Sequence, residues 1–134
     1  MANETDNRTF TLSLLPDLYA ILKFPANAPI PEWLPSTTFS SITRTADELS
    51  IVGPAAYVPP QYPIALKWRI IQVHGPLAFT EVGVLDSLTG PLRAANIGIF
   101  VISTYDTDYL LVTVDKADSA VAALKSAGHR FTEG

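Results

Sequence analysis

The chain has 134 residues and a mass of 14.5 kDa; 48% of its residues are hydrophobic and 16% charged, so it can bury one ordinary core or two very small domains that share one. A net charge of −4, with nine Lys and Arg residues in no cluster, argues against nucleic acid as a partner, and the lack of cysteine excludes disulfides and thiolate metal sites. The polar, acidic start MANETDNRTF is unlike a signal peptide and no apolar run approaches the roughly 18 residues of a membrane span, so the expectation is a soluble cytoplasmic protein with no membrane contact.

Eight of the eleven prolines fall between residues 25 and 63, which predicts short strands and tight connections there, because proline lacks a backbone donor and fixes φ. FTLSLL (10–15) and YAILKF (19–24) alternate like strands, split by Pro16-Asp17. PIPEWLP (29–35) holds at most a turn or two of helix, with Pro31 near its start. FSSITR (39–44) and ELSIVG (48–53) read as a hairpin, and PAAYVPPQYP (54–63) as a proline-rich connector.

From residue 67 the pattern is regular. KWRIIQVH (67–74) is a strand closed by Gly75-Pro76. Thr80 is the expected N-cap of an amphipathic helix of about 14 residues, with Val82, Leu85, Leu88, Leu92 and Ala95 inward and Asn96 and Gly98 ending it. Strands over IFVIST and YLLVTV flank the polar stretch TYDTD; Asp115 is the expected cap of a second helix with Ala117, Val121, Leu124 and Ala127 inward, and HRFTE (129–133) supplies a last strand. This β-α-β-β-α-β order, closed by two right-handed crossovers, implies both helices on one face of an antiparallel sheet: an α+β, ferredoxin-like sandwich.

An internal repeat is visible at a displacement of 61 residues, where Phe39, Thr43, Asp47 and Leu49 meet Phe100, Thr104, Asp108 and Leu110. Its first copy lacks most of a first helix, so the expected organisation is a degenerate N-terminal unit over 10–62 and a complete one over 66–134.

SITRTADELSIV, together with GPLAFTEVGVLDSLTGPLRAANIGIFVISTYDTDYLLV, resembles the small CASTOR-type tandem ACT-domain proteins, which are similar to the arginine sensors of animals and to the regulatory domains of aspartate kinases. The resemblance runs from Phe10 to about His129. It implies ACT-like units that pair side by side, a homodimer, and a non-catalytic regulatory module that binds an amino acid between units. Carried over residue by residue, the sensor pattern falls on Gly83, Asp86, Thr104, Tyr105 and Asp108. The pattern has a longer acid at the position of Asp86, which leaves the amino acid unnamed.

Such a ligand needs donors for its carboxylate and an acidic acceptor for its ammonium. The strand-to-helix turn at Thr80–Val84 offers backbone N–H groups and the positive end of a helix dipole, with Gly83 allowing close approach. Thr104, Tyr105 and Asp108 face it across a groove, Asp108 being the expected ammonium or guanidinium partner. The bland alternatives are a plain helix start at Gly83, turn acceptors at Asp106 and Asp108, a structural Asp47, surface or capping roles for His74 and His129, and core or dimer contacts for Trp33 and Trp68. No metal-ligand spacing, P-loop, G-x-S-x-G or G-x-G-x-x-G is present, so neither an enzyme class nor a cofactor is implied. The competing function is a ligand-independent oligomerisation or interaction module on the same fold.

Overall fold

The computed structural model describes residues 9–36, 38–77 and 83–132. Its elements are β1 (Thr11–Leu14), β2 (Tyr19–Phe24), β3 (Ser41–Arg44), β4 (Leu49–Pro54), β5 (Trp68–Val73), α1 (Val84–Ala94), β6 (Phe100–Ser103), β7 (Asp108–Thr113), α2 (Ala117–Ser126) and β8 (Arg130–Thr132). They divide into two units: the segment up to Pro16 packs with the chain from Arg69 onward, and Asp17–Trp68 packs separately.

The larger unit is the expected βαββαβ run, β5-α1-β6-β7-α2-β8, with one addition. In a plain ferredoxin-like sheet the first and last strands are neighbours. Here β1 lies between them, antiparallel to β5 with Leu12 opposite Val73, and parallel to β8 with Leu12 opposite Phe131. The sheet order is therefore β6-β7-β5-β1-β8. The N-terminal strand, expected in the first unit, is a strand of the second. Leu12, fully buried beneath the helices with Ile71, Val73, Leu110 and Val112, is what fastens it there. Burial of one such side chain contributes roughly 1.5–3 kcal/mol.

Both helices cover one face of this sheet, α1 through Val84, Leu88 and Leu92, and α2 through Ala117, Ala120 and Leu124. The inward stripes differ in part from the predicted ones. Leu85, Ala95 and Ala127 are exposed, and Val121 is half-buried. α1 begins at Val84, after Gly83, spans 11 residues, and buries Val84, Leu88 and Leu92. Thr80 and Val82 lie outside the described residues. Asp115 does not cap α2: it sits in a 3-10 turn, Val114–Lys116, that runs directly into the helix. At the other end of α1 the expected stop is present, with Asn96 in the left-handed region (φ 62) and its N–H donating to the Arg93 carbonyl.

The smaller unit is an antiparallel sheet of order β3-β4-β2, and no α-helix occurs among its described residues. The short helix allowed over PIPEWLP is a turn, as expected where prolines recur every two to four residues. Aromatic side chains pack together in this unit: Tyr62 lies edge-on to Phe24 (5.4 Å between centroids) and tilted against Trp33 (6.2 Å). Burial, and then the Asp17 carboxylate, push the Tyr19 phenol above its ordinary range.

The repeat is real in structure, but its register is 59 residues. Ser41–Arg44 matches Phe100–Ser103, Leu49–Pro54 matches Asp108–Thr113, and each second strand runs into a 3-10 turn. Thr45 therefore corresponds to Thr104, Asp47 to Asp106, and Leu49 to Asp108. The identities seen at 61 residues pair positions that are not equivalent.

Candidate functional site

The stretch STYDTD is a tight hairpin turn built on threonine. The Thr104 N–H and hydroxyl both donate to the Thr107 carbonyl (2.8 and 3.0 Å), and the Thr107 N–H donates back to Thr104 Oγ1 (3.3 Å). The first copy closes its turn similarly: Thr45 N–H donates to the Glu48 carbonyl (2.9 Å), and Thr45 Oγ1 accepts from the N–H groups of Asp47 and Glu48. A threonine that satisfies the backbone around it is a turn device in both units. That assigns the Thr104 hydroxyl to the turn itself.

The turn is seated on the end of β5. Buried Thr107 donates its hydroxyl to the Val73 carbonyl (2.6 Å), and the Leu77 N–H donates to the Asp106 carbonyl (2.7 Å). A Cβ on Gly75 would stand 2.9 Å from the Asp106 carbonyl oxygen and 3.0 Å from Thr107 Cβ, so glycine is what lets the two backbones meet. Gly75 and Thr107 position the hairpin, and neither stands out as a site residue in the sequence. Gly-Pro directly after a strand is the one available signal. Thr107→Val keeps the shape and removes the hydroxyl; it should lower stability by about 1 kcal/mol in a urea titration, with the fold intact by circular dichroism.

Of the predicted ligand residues, Tyr105 stands at the tip of the turn, 79% exposed. Asp108, half-buried, begins β7 opposite Ser103, whose hydroxyl donates to Oδ1 at 2.5 Å. The remaining predicted residues open α1. Gly83 is its N-cap, left-handed at φ 84, and its carbonyl accepts the first helical bond from the Ser87 N–H (3.0 Å). The glycine therefore has a backbone reason to be there, apart from any ligand. The Val84 side chain belongs to the core, so only its backbone can serve a ligand. Asp86 is exposed in the first turn, where a carboxylate complements the helix dipole. The hairpin thus stands beside the strand end from which the chain leaves toward α1, while the connecting residues 78–82 lie outside the described residues.

The two histidines differ from expectation in one case. His74 is exposed, with Nε2 2.5 Å from the hydroxyl of buried Ser13, which is also 3.1 Å from Thr132 Oγ1. His129, expected at the surface or as a cap, is buried at 4% exposure. Its Nδ1 accepts from the Phe10 N–H (3.1 Å), its Nε2 lies 3.0 Å from the Ser87 carbonyl, and its ring stacks on Phe10. Among the described residues, no group of three or more His, Cys, Asp or Glu is placed to hold a metal ion, and no helix is long and apolar enough to cross a membrane. A groove of about 400 Å³ lies at the far end of α1, lined by Thr89, Arg93, Asn96, Ile97, Gly98 and Ile99, and contains none of the predicted ligand residues.

A family model for the ACT domain matches residues 64–126, and a separate model for an N-terminal domain matches residues 17–61. The human protein named cytosolic arginine sensor for mTORC1 subunit 1 is 39% identical over 59 residues, 43% of this chain; the mouse protein is 36% identical over the same length. The chain spans under a fifth (18%) of the length of these curated relatives. Among solved structures, the Agrobacterium tumefaciens protein Atu0741 is 37% identical, with a TM-score of 0.86 and 95% of each chain covered. The aspartate kinase of Clostridium acetobutylicum shares the fold at 12% identity, with a TM-score of 0.62 over 87% of this chain and 34% of the enzyme. The Agrobacterium protein matches the chain almost end to end, and the chain's second unit, over residues 64–126, belongs to the ACT-domain family.

Proposed function

We propose that this chain is a non-catalytic regulatory module that binds a small amino acid between the STYDTD hairpin and the start of α1. Asp108 takes the ammonium group, and the first N–H groups of α1, behind left-handed Gly83, take the carboxylate. Helix-start N–H groups have no partner within their own helix and sit at the positive end of its dipole. The animal relatives are named for sensing arginine, and the match to them supports an amino-acid ligand in general.

One observation carries this reading. Asp108 is surplus to the hairpin, because the first copy closes a similar threonine turn with Leu49 in the corresponding place. A half-buried carboxylate at a strand start that the turn does not require suits an ammonium group. The corresponding Leu49 is fully buried and apolar, so the first unit offers no second site of this kind.

A thermal-shift screen against the twenty amino acids tests the reading. A ligand at a hundredfold excess over its Kd stabilises by about 2.7 kcal/mol, which raises Tm by roughly 10 °C in a chain of this size. If none of the twenty shifts Tm, the oligomerisation module becomes the better reading.

Dimerisation belongs to either function. Leu18, Ile30, Ile42, Tyr57 and Leu66, all in the smaller unit, are large apolar side chains left exposed. Exposed apolar side chains favour association, and two copies of one chain most commonly pair about a twofold axis. Light scattering at micromolar concentration should give about twice 14.5 kDa, and a value of 14.5 kDa would exclude the dimer.

A further inference from the structure

Pro91 lies inside α1. Regular helix bonding would have the N–H of residue 91 donate to the carbonyl of Ser87, and proline has no N–H to give. Its ring also crowds the carbonyl four residues back. The Ser87 carbonyl nevertheless has a partner, the Nε2 of His129, at 3.0 Å. Because Nδ1 of the same ring accepts from the Phe10 N–H at 3.1 Å, the hydrogen must be on Nε2, and the ring is neutral and donates to Ser87.

We propose that His129 is a positioning residue: it supplies the helix hydrogen bond that Pro91 cannot, and so sets where the first turns of α1 lie. The contact joins three separated pieces of chain. Ser87 is bonded through its own N–H to Gly83, the N-cap. Phe10 leads into β1, and its carbonyl accepts the Arg130 N–H (3.0 Å). His129 follows the end of α2, with its own N–H donating to the Leu124 carbonyl (3.1 Å). Loss of the imidazole leaves the Ser87 carbonyl without its donor and frees the start of α1 from β1 and α2 together.

The test is a double-mutant cycle in the full chain. His129→Ala lowers Tm. Pro91→Ala returns an N–H to residue 91, so the fall caused by His129→Ala should be clearly smaller in the Pro91→Ala background. Equal falls in the two backgrounds would overturn the proposal. Imidazole nitrogen NMR of the wild type supplies a readout that mere packing would not move: His129 should be the neutral ring with its hydrogen on Nε2, and the opposite tautomer would also overturn it. A further consequence rests on the amino-acid-binding reading. If the screen finds a ligand, His129→Ala should weaken its binding about fivefold, a loss partly recovered by Pro91→Ala. A wild type that binds no amino acid would refute that reading alone, while the Tm cycle still decides the role of His129.

Discussion

Asp108→Ala should abolish the Tm shift produced by any amino acid that stabilises the wild type, while its Tm without ligand changes little. A charge-assisted contact to an ammonium group is worth a few kcal/mol where water is scarce, so affinity should fall tenfold or more by calorimetry. The folding side is small because the hairpin hydrogen bonds run through Thr104 and Thr107, and the substitution removes the bond that the Ser103 hydroxyl donates. Ser103 is exposed and can turn to water, so that change is well under about 1 kcal/mol. Asp108→Asn refines the result. It keeps an acceptor for Ser103 and removes the charge, and should bind as poorly as Asp108→Ala if charge is what matters. An unfolded Asp108→Ala would show that the carboxylate is structural and would remove it from the site.

The strands are legible in the sequence because their alternation is local: YAILKF and WRIIQV match β2 and β5 to within a residue. The destination of β1 is not legible. TLSL shows two faces by alternation, but nothing in it says which sheet it enters; that depends on Leu12 meeting Val73 and Phe131, far along the chain. The repeat is visible for a partly misleading reason. Aspartates two residues apart, Asp106 and Asp108, give the first copy's Asp47 two choices of partner, and the strand bounds and turn hydrogen bonds select Asp106. In the candidate site, Asp108 and Gly83 stand out as residue types with chemistry attached. Gly75 and Thr107 do not, because a close backbone approach and a buried hydroxyl leave no periodic trace. The pairing of Pro91 with His129 is equally hidden: the sequence displays the missing donor, but the replacement comes from beyond α2.

Gly83 gives the sharpest test of the geometry, and its left-handed φ of 84 decides what the test must contain. Were this glycine helical, a valine in its place would block the ligand at little cost to the fold. At positive φ every L-residue is strained, and a β-branched one more than others. Gly83→Ala should therefore destabilise the chain by more than about 1 kcal/mol, and Gly83→Val by more again. Loss of binding in Gly83→Val alone would mix strain with steric overlap. Gly83→Asn separates them, since asparagine tolerates the left-handed region better than alanine while still placing a Cβ there. If the ligand carboxylate approaches the backbone of this turn, Gly83→Asn should retain most of the wild-type Tm and lose most of the amino-acid shift. If Gly83→Asn binds as the wild type does, the space over the α1 N-cap is not the ligand's, and Gly83 is there for its backbone conformation alone.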